Sequence, residues 1–296
     1  MTDWHAPFYA ISAALTFSYA SVGLRQYSDR FGAYWMNAYK AYIALIAFFI
    51  FILINNEWIS FVENLQAGPS LYLFASGFIG LGVGDFFLLR AFSKIGATRS
   101  LTIFQCQPVM MIVLGYLFFQ QTITGIQAIG ILVLISAVLI LCQESAKKTG
   151  SWKDTGVFYA LLGTGIDAIG VIMSRQAFEV LESLSVGQAN MIRFMGACIA
   201  FTIFSFIWPL NTFKKLKSLS KKEGLHVSFV GLMATFVALF FWIKAISEGN
   251  LAITVALVGM GPIFAALFES WAYKTWPTRS LWWALILCVA GMVLGI

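Results

Sequence analysis

Five ionisable side chains, Lys40, Asp85, Asp167, Arg193 and Glu269, sit inside stretches that are otherwise apolar. A charge withdrawn from water is expensive, so within a bilayer it normally faces a cavity or a partner. Carboxylates in such a place can take up and release protons, cations can hold anionic groups of a solute, and the two kinds can form pairs that break when a solute arrives. Depth along the expected spans divides them into an inner group (Lys40, Asp85, Glu269) and an outer group (Asp167, Arg193). The expected pairs are Lys40 with Asp85 or Glu269 at the inner mouth, and Arg193 with Asp167 at the outer one. Snorkelling to an interface is the plain alternative for Lys40, Arg193 and Glu269, whereas the two aspartates are too short for it. Asn37 and Asn190 accompany Lys40 and Arg193 at the same spacing, and Gln105 and Gln107 precede Pro108. Pro262 follows Gly259 and Gly261. A membrane proline frees a carbonyl, and Gly/Pro interruptions at corresponding places in two halves point to a transporter's binding region, with a simple kink as the alternative.

The elements that must position these groups are apolar helices. With 60% hydrophobic and 11% charged residues and a mean hydropathy of +0.84, the composition excludes a soluble globular domain. Apolar runs long enough to cross a hydrocarbon core of ~30 Å fall near 6–24, 33–54, 70–90, 100–119, 124–142, 155–174, 187–209, 226–244, 251–272 and 280–296. The short alternating strands of a barrel are a different pattern. The first run has no positive flank before it and is read as a span rather than a signal peptide. The sequence therefore predicts an all-α integral membrane protein of ten transmembrane helices.

The ten spans divide into two copies of five. Phe8–Gln26 (FYAISAALTFSYASVGLRQ) is echoed by Phe158–Gln176 (FYALLGTGIDAIGVIMSRQ), sharing both ends without a gap. Asn37-Ala-Tyr-Lys40 returns as Asn190-Met-Ile-Arg193, Arg90-Ala-Phe-Ser93 as Lys244-Ala-Ile-Ser247, and Pro108 as Pro262. The offset drifts only from 150 to 154, which marks a duplication. Residues 1–146 and 153–296 are the expected repeats, with 147–152 as linker.

Of the 19 Lys and Arg residues, 15 lie in the odd loops and only Arg175 and Lys244 edge the other side. This places the odd loops in the cytoplasm and both termini outside, as expected for a protein of the inner (cytoplasmic) membrane. An odd number of spans per copy turns the second copy upside down, an inverted-topology repeat. The basic balance thus reflects topology and not nucleic-acid binding. Cys106, Cys142, Cys198 and Cys288 lack metal-ligand spacing, and His5 and His226 are the only histidines, so no metal, cofactor or catalytic cluster is expected. A P-loop is absent, which argues against ATP-driven transport by this chain alone.

Gly82-Val83-Gly84-Asp85 spells the G-x-G-D of intramembrane aspartyl proteases. In that family the partner aspartate precedes the motif and Pro-Ala-Leu follows it; here Asp167 comes after and Pro-Ala-Leu is missing. The wider pattern resembles the drug/metabolite transporter superfamily as two tandem EamA units, carried by Gly84-Asp85, Arg90-Ala91, Ile95-Gly96-Ala97, Arg99-Ser100, Pro108, Lys244-Ala245 and Pro262. The resemblance implies a carrier whose cavity is lined by spans 1–4 and 6–9, with 5 and 10 peripheral, moving small metabolites, often outward. Where the family commonly carries Gly-Glu after spans four and nine, this chain has Gln120-Gln121 and Lys274-Thr275, so no proton site carries over to those positions.

The reading that follows is a secondary carrier for a small polar or zwitterionic solute, such as an amino acid, working by alternating access in the export direction. Asp85, Asp167 and Glu269 are its candidate proton-coupling groups. An uncoupled facilitator or exchanger is the alternative, and an intramembrane enzyme a distant third. The expected partners are the solute, the lipid bilayer and protons, with the chain acting as monomer or homodimer.

Overall fold

The computed structural model describes residues 4–66, 68–146, 154–181, 183–207, 211–272 and 274–295; the expected linker at 147–152 lies outside them. The described residues hold helices and no strand. Ten helices stand where spans are expected. They are α1 (His5–Phe31), α2 (Ala33–Ile54), α3 (Ser70–Ile95), α4 (half-helices Ala97–Phe104 and Gln107–Phe119) and α5 (Gly125–Ala146). The second copy supplies α6 (Asp154–Val180), α7 (Val186–Ile207), α8 (Lys221–Glu248), α9 (half-helices Leu251–Val258 and Gly261–Ala272) and α10 (Arg279–Gly295).

Eight of these, α2 to α9, are long and apolar enough to cross a bilayer. The α10 helix is shorter at 17 residues. At 27 residues α1 has the length, but Ser12, Thr16, Ser18 and Ser21 dilute it. Helical backbone is imposed by the solvent: lipid offers no hydrogen bonds, so each segment must satisfy its own N–H and C=O groups. The same bonds carry α1, α3, α6 and α8 beyond their apolar runs, past charged ends such as Arg25 and Arg30. Tight links join the first helices: Gly32 (φ +92) connects α1 to α2 and Gly96 (φ +84) connects α3 to α4, a left-handed backbone that glycine adopts without penalty.

Packing follows the duplication and crosses between the copies. The α1 helix lies on α8 and α9, and its counterpart α6 lies on α3 and α4. Three further contacts pair equivalents, α2 with α7, α4 with α9, and α5 with α10, while α3 lies on α7 and its counterpart α8 lies on α2. This exchange pattern is that of a pseudo-two-fold axis relating inverted repeats. The α5–α10 pair meets through Gly130 and Gly295 and turns Ile129, Leu132, Trp283 and Val289 outward, which makes it peripheral.

The α3 helix is wedged between α6 and α7. Its Gly77–Gly84 stretch is π-helical, and α8 has a shorter π-helical turn at Met233–Val237. Such turns admit an extra residue and occur often at functional sites. Small residues let the backbones approach. A Cβ on Gly77 would fall on the carbonyl oxygen of Arg193, and one on Gly196 would fall on the carbonyl oxygen of Phe74. On the other side a Cβ on Gly80 would touch the Cα of Gly170 at 3.4 Å.

This predicts that Gly77→Ala and Gly196→Ala each destabilise the protein by about 1–3 kcal/mol through overpacking. Gly165→Ala, where an added Cβ meets nothing within 4 Å, is expected to be neutral or slightly stabilising. Thermal melting in detergent, followed by tryptophan fluorescence, checks this. Equal behaviour of the three variants would contradict the close α3–α7 approach.

Candidate functional site

Four of the five intramembrane charges form one row across both copies. Lys40 on α2 interacts electrostatically with Asp85 on α3, Asp85 with Asp167 on α6, and Asp167 with Arg193 on α7. The row reads cation, anion, anion, cation, and its formal charges cancel. Each group is held by a neutral neighbour. Asn37 Nδ2 donates to Asp85 Oδ2 at 3.1 Å, and Gln107 Nε2 donates to Asp167 Oδ2 at 2.6 Å. Arg193 Nε donates to Ser76 Oγ at 3.1 Å, and Ser174 Oγ donates to the same oxygen at 3.0 Å. Lys40 Nζ lies 5.9 Å from the centre of the Phe17 ring.

The row is graded in accessibility. Lys40, Asp85 and Asp167 are half-buried although mid-span, whereas Arg193 is 3% and Asn190 0% exposed. Arg193 Nη1 and Asn190 Oδ1 are buried without a hydrogen-bond partner. A buried unpaired donor and acceptor on one helix face are costly to keep. They are also groups that a polar solute could satisfy.

The duplication is visible in these contacts. Asn37 donates to Asp85, and its counterpart Asn190 donates through Nδ2 to the backbone oxygen of Leu239 at 3.1 Å, the position 154 residues after Asp85. Arg193 faces Asp167, while its counterpart Lys40 faces Phe17, 150 residues before Asp167. One geometry is thus built twice, with acids added in α3 and α6.

The paired interruptions are real helix breaks. The half-helices of α4 part at Gln105-Cys106, just before Pro108, and those of α9 at Gly259-Met260, just before Pro262. Gln105 Nε2 donates to the Gly259 carbonyl at 3.3 Å. Gln105 and Gly259 are equivalent positions, so their contact marks where the pseudo-axis passes between the copies. Ser18 on α1 donates to the carbonyl of Gly261 at 2.8 Å, at the start of the second half-helix of α9 and at the position equivalent to Gln107.

Three expectations are corrected. Glu269 does not join Lys40: it pairs with Arg25 Nη1 at 2.9 Å, the two side chains 40% and 60% exposed, because α1 lies against α9. Arg193 and Asp167 are electrostatic neighbours without a direct hydrogen bond: Arg193 Nε goes to Ser76, and Asp167 Oδ2 accepts from Gln107. Asp85 and Asp167 are not at separate depths. The α3–α6 crossing brings the Asp167 backbone nitrogen within 3.4 Å of a Cβ placed on Gly84. Their side chains nevertheless turn to different helices, Asp85 to α2 and Asp167 to α4. Ser76, Ser174 and Gln107 complete the site. The sequence signal for Gln107 is its place beside Pro108; for the serines it is their small size next to glycines at a helix crossing.

Comparison with known proteins bears on the family and the fold. The sequence pattern of the EamA-like transporter family matches twice, over residues 4–143 and 154–296. A WAT1-related chloroplastic protein of Arabidopsis thaliana is 22% identical over 210 residues. The aligned part is 70% of this chain and 49% of that relative, about half its length. A solved structure described only as "Crystal structure of protein" shares the fold with a TM-score of 0.78 at 16% identity, covering 98% of this chain and 96% of that one.

The electrostatic contact between α6 and α7 is testable by a double-mutant cycle of Asp167→Asn and Arg193→Gln. Their effects on stability should be non-additive by about 1 kcal/mol or more, as for neighbouring charges. Additive effects would show that the two groups do not sense one another.

Proposed function

This chain belongs to the EamA-like transporter family, membrane transporters of the drug/metabolite type, and we propose that it is a secondary carrier exporting a small polar solute by alternating access. The observation that carries this reading is the charge row: four ionisable groups at mid-span, spread over both inverted copies, beside paired helix breaks. The favoured substrate class is a zwitterion such as an amino acid. A balanced set of two cations and two acids can meet both ends of such a solute and leaves no net charge in the low-dielectric interior. Arg193 with its unpartnered Nη1 is the proposed seat of the carboxylate, and Asp85 or Asp167 that of the ammonium group. Asn37, Asn190, Gln105 and Lys40 line the approach, and the Pro108 and Pro262 breaks supply the hinges and free carbonyls.

Asp85 and Asp167 are the proposed proton-coupling carboxylates. Glu269, held in an exposed pair, is better placed as a gate. The Lys/Arg distribution supports a cytoplasmic-membrane orientation with termini outside. A protease reading has little support, since each aspartate is engaged by its own amide. Nor does the duplicated architecture serve a single catalytic centre.

Transport into proteoliposomes tests the proposal, with candidate amino acids and related zwitterions supplied with and without an imposed pH gradient. Gradient-driven accumulation that falls about tenfold or more in Asp85→Asn or Arg193→Gln is the expected result. Equilibration without accumulation would favour the facilitator or exchanger. Chemical conversion without translocation would exclude a carrier.

A further inference from the structure

The two copies end their first helices with the same arginine, Arg25 in α1 and Arg175 in α6, 150 residues apart. The two arginines are engaged differently. Arg175 Nη1 donates to the backbone carbonyls of Ile246 (2.6 Å), Ser247 (2.8 Å) and Gly249 (3.4 Å), and its Nε pairs with Glu179 at 2.7 Å. The last carbonyls of a helix lack partners within it and form the negative end of its dipole. A guanidinium that gathers them therefore ties the end of α8 to α6. This side chain is only 15% exposed.

By the repeat offset, the equivalent carbonyls on the opposite face are those of Phe92, Ser93 and Ile95 at the end of α3. Arg25 does not reach them; it extends instead to Glu269. Phe92 and Ile95 are bonded by Gly96 N at 3.0 Å and Arg99 Nη1 at 3.4 Å, and a carbonyl has a second lone pair to offer. The face of α1 around Arg25 borders an open cleft of about 530 Å³ lined by Val22, Gly23, Arg25, Gln26 and Asp29. The residue of α6 equivalent to Val22 is Ile172, which is 7% exposed. One copy is therefore fastened at its arginine and the other is open at its arginine.

We propose that Arg175 and Arg25 are alternating latches. Arg175 holds the Glu179–Glu248 end of the protein shut in this structure. When that end opens, Arg25 leaves Glu269 and takes the α3 carbonyls, shutting the opposite end. The two copies exchange conformations, as a pseudo-two-fold permits, and each arginine biases the equilibrium toward the state in which it is engaged. The proposal rests on the carrier reading. By the positive-inside asymmetry, the latched end is the outer one.

The test uses the full chain with Cys106, Cys142, Cys198 and Cys288 replaced by alanine and one of two equivalent reporters, Val22→Cys or Ile172→Cys. Labelling by a membrane-impermeant maleimide is measured in membranes open to both sides. Without further change, Val22→Cys should react and Ile172→Cys should be shielded. Arg175→Gln should raise labelling at Ile172→Cys about tenfold, the worth of one charge-assisted hydrogen bond, and lower it at Val22→Cys. Arg175→Lys should fall between. Arg25→Gln, which removes only an exposed pair here, should lower whatever labelling Ile172→Cys shows, and the double variant should return toward the parent pattern. Unchanged labelling in Arg175→Gln, or a parallel rise at both reporters, overturns the latch. Should Arg175→Gln fail to fold, an unchanged reporter ratio in Arg25→Gln overturns it instead. A reciprocal shift in a protein that moves no solute would sustain the latch while removing the carrier reading; transport without the shift would do the reverse.

Discussion

Lipid provides neither hydrogen bonds nor a high dielectric, and the structure is organised by that constraint. Backbone groups must be satisfied within each span, which leaves helices. Side-chain charges must find one another, which gathers Lys40, Asp85, Asp167 and Arg193 where the two copies meet. That gathering is possible only because α3 approaches its neighbours at backbone distance. Gly77 and Gly80 leave room for the Arg193 carbonyl on one side and the Gly170 backbone on the other. The charge row therefore depends on residues that carry no chemistry.

The duplicated design places related geometry in both halves of one chain. Equivalent residues build equivalent geometry, as Asn37 and Asn190 show by donating to Asp85 and to the carbonyl at its counterpart position. Where the copies differ, the difference is informative. Asp167 stands where the first copy has Phe17, so the two halves of the site are alike in shape and unlike in charge. Gln105 touches its own counterpart, Gly259, across the pseudo-axis, where the helices are already broken ahead of Pro108 and Pro262. A region with freed carbonyls, weakened helices and nearby charge is where binding energy can couple to helix movement.

Much of this was legible in the sequence because it depends on periodicity and count. Ten apolar runs, an offset that holds between 150 and 154, and prolines at matching places fix the spans, the duplication and the breaks. The pairing of charges was not legible. Counting residues inward from an expected interface treats each span as straight and regular, and it put Asp85 and Asp167 at different depths. The π-helical stretch Gly77–Gly84 and the glycine-mediated crossing with α6 bring them side by side. Glu269 was assigned to Lys40 for the same reason, whereas the lie of α1 against α9 gives it to Arg25. Arg175 passed as a topology residue because its partners are backbone carbonyls, which no side-chain pattern reveals.

The central claim is that the charge row is where solute binds. A ligand that binds only the folded protein raises its melting temperature, increasingly as its concentration exceeds Kd. The direct measurement is therefore a thermal-shift screen of a metabolite library on purified wild type, Asp85→Asn and Arg193→Gln. The account predicts a zwitterionic solute that stabilises the wild type and loses its effect in either variant. A solute that stabilises all three equally would contradict it, reducing the row to structural ion pairs and placing the binding site elsewhere.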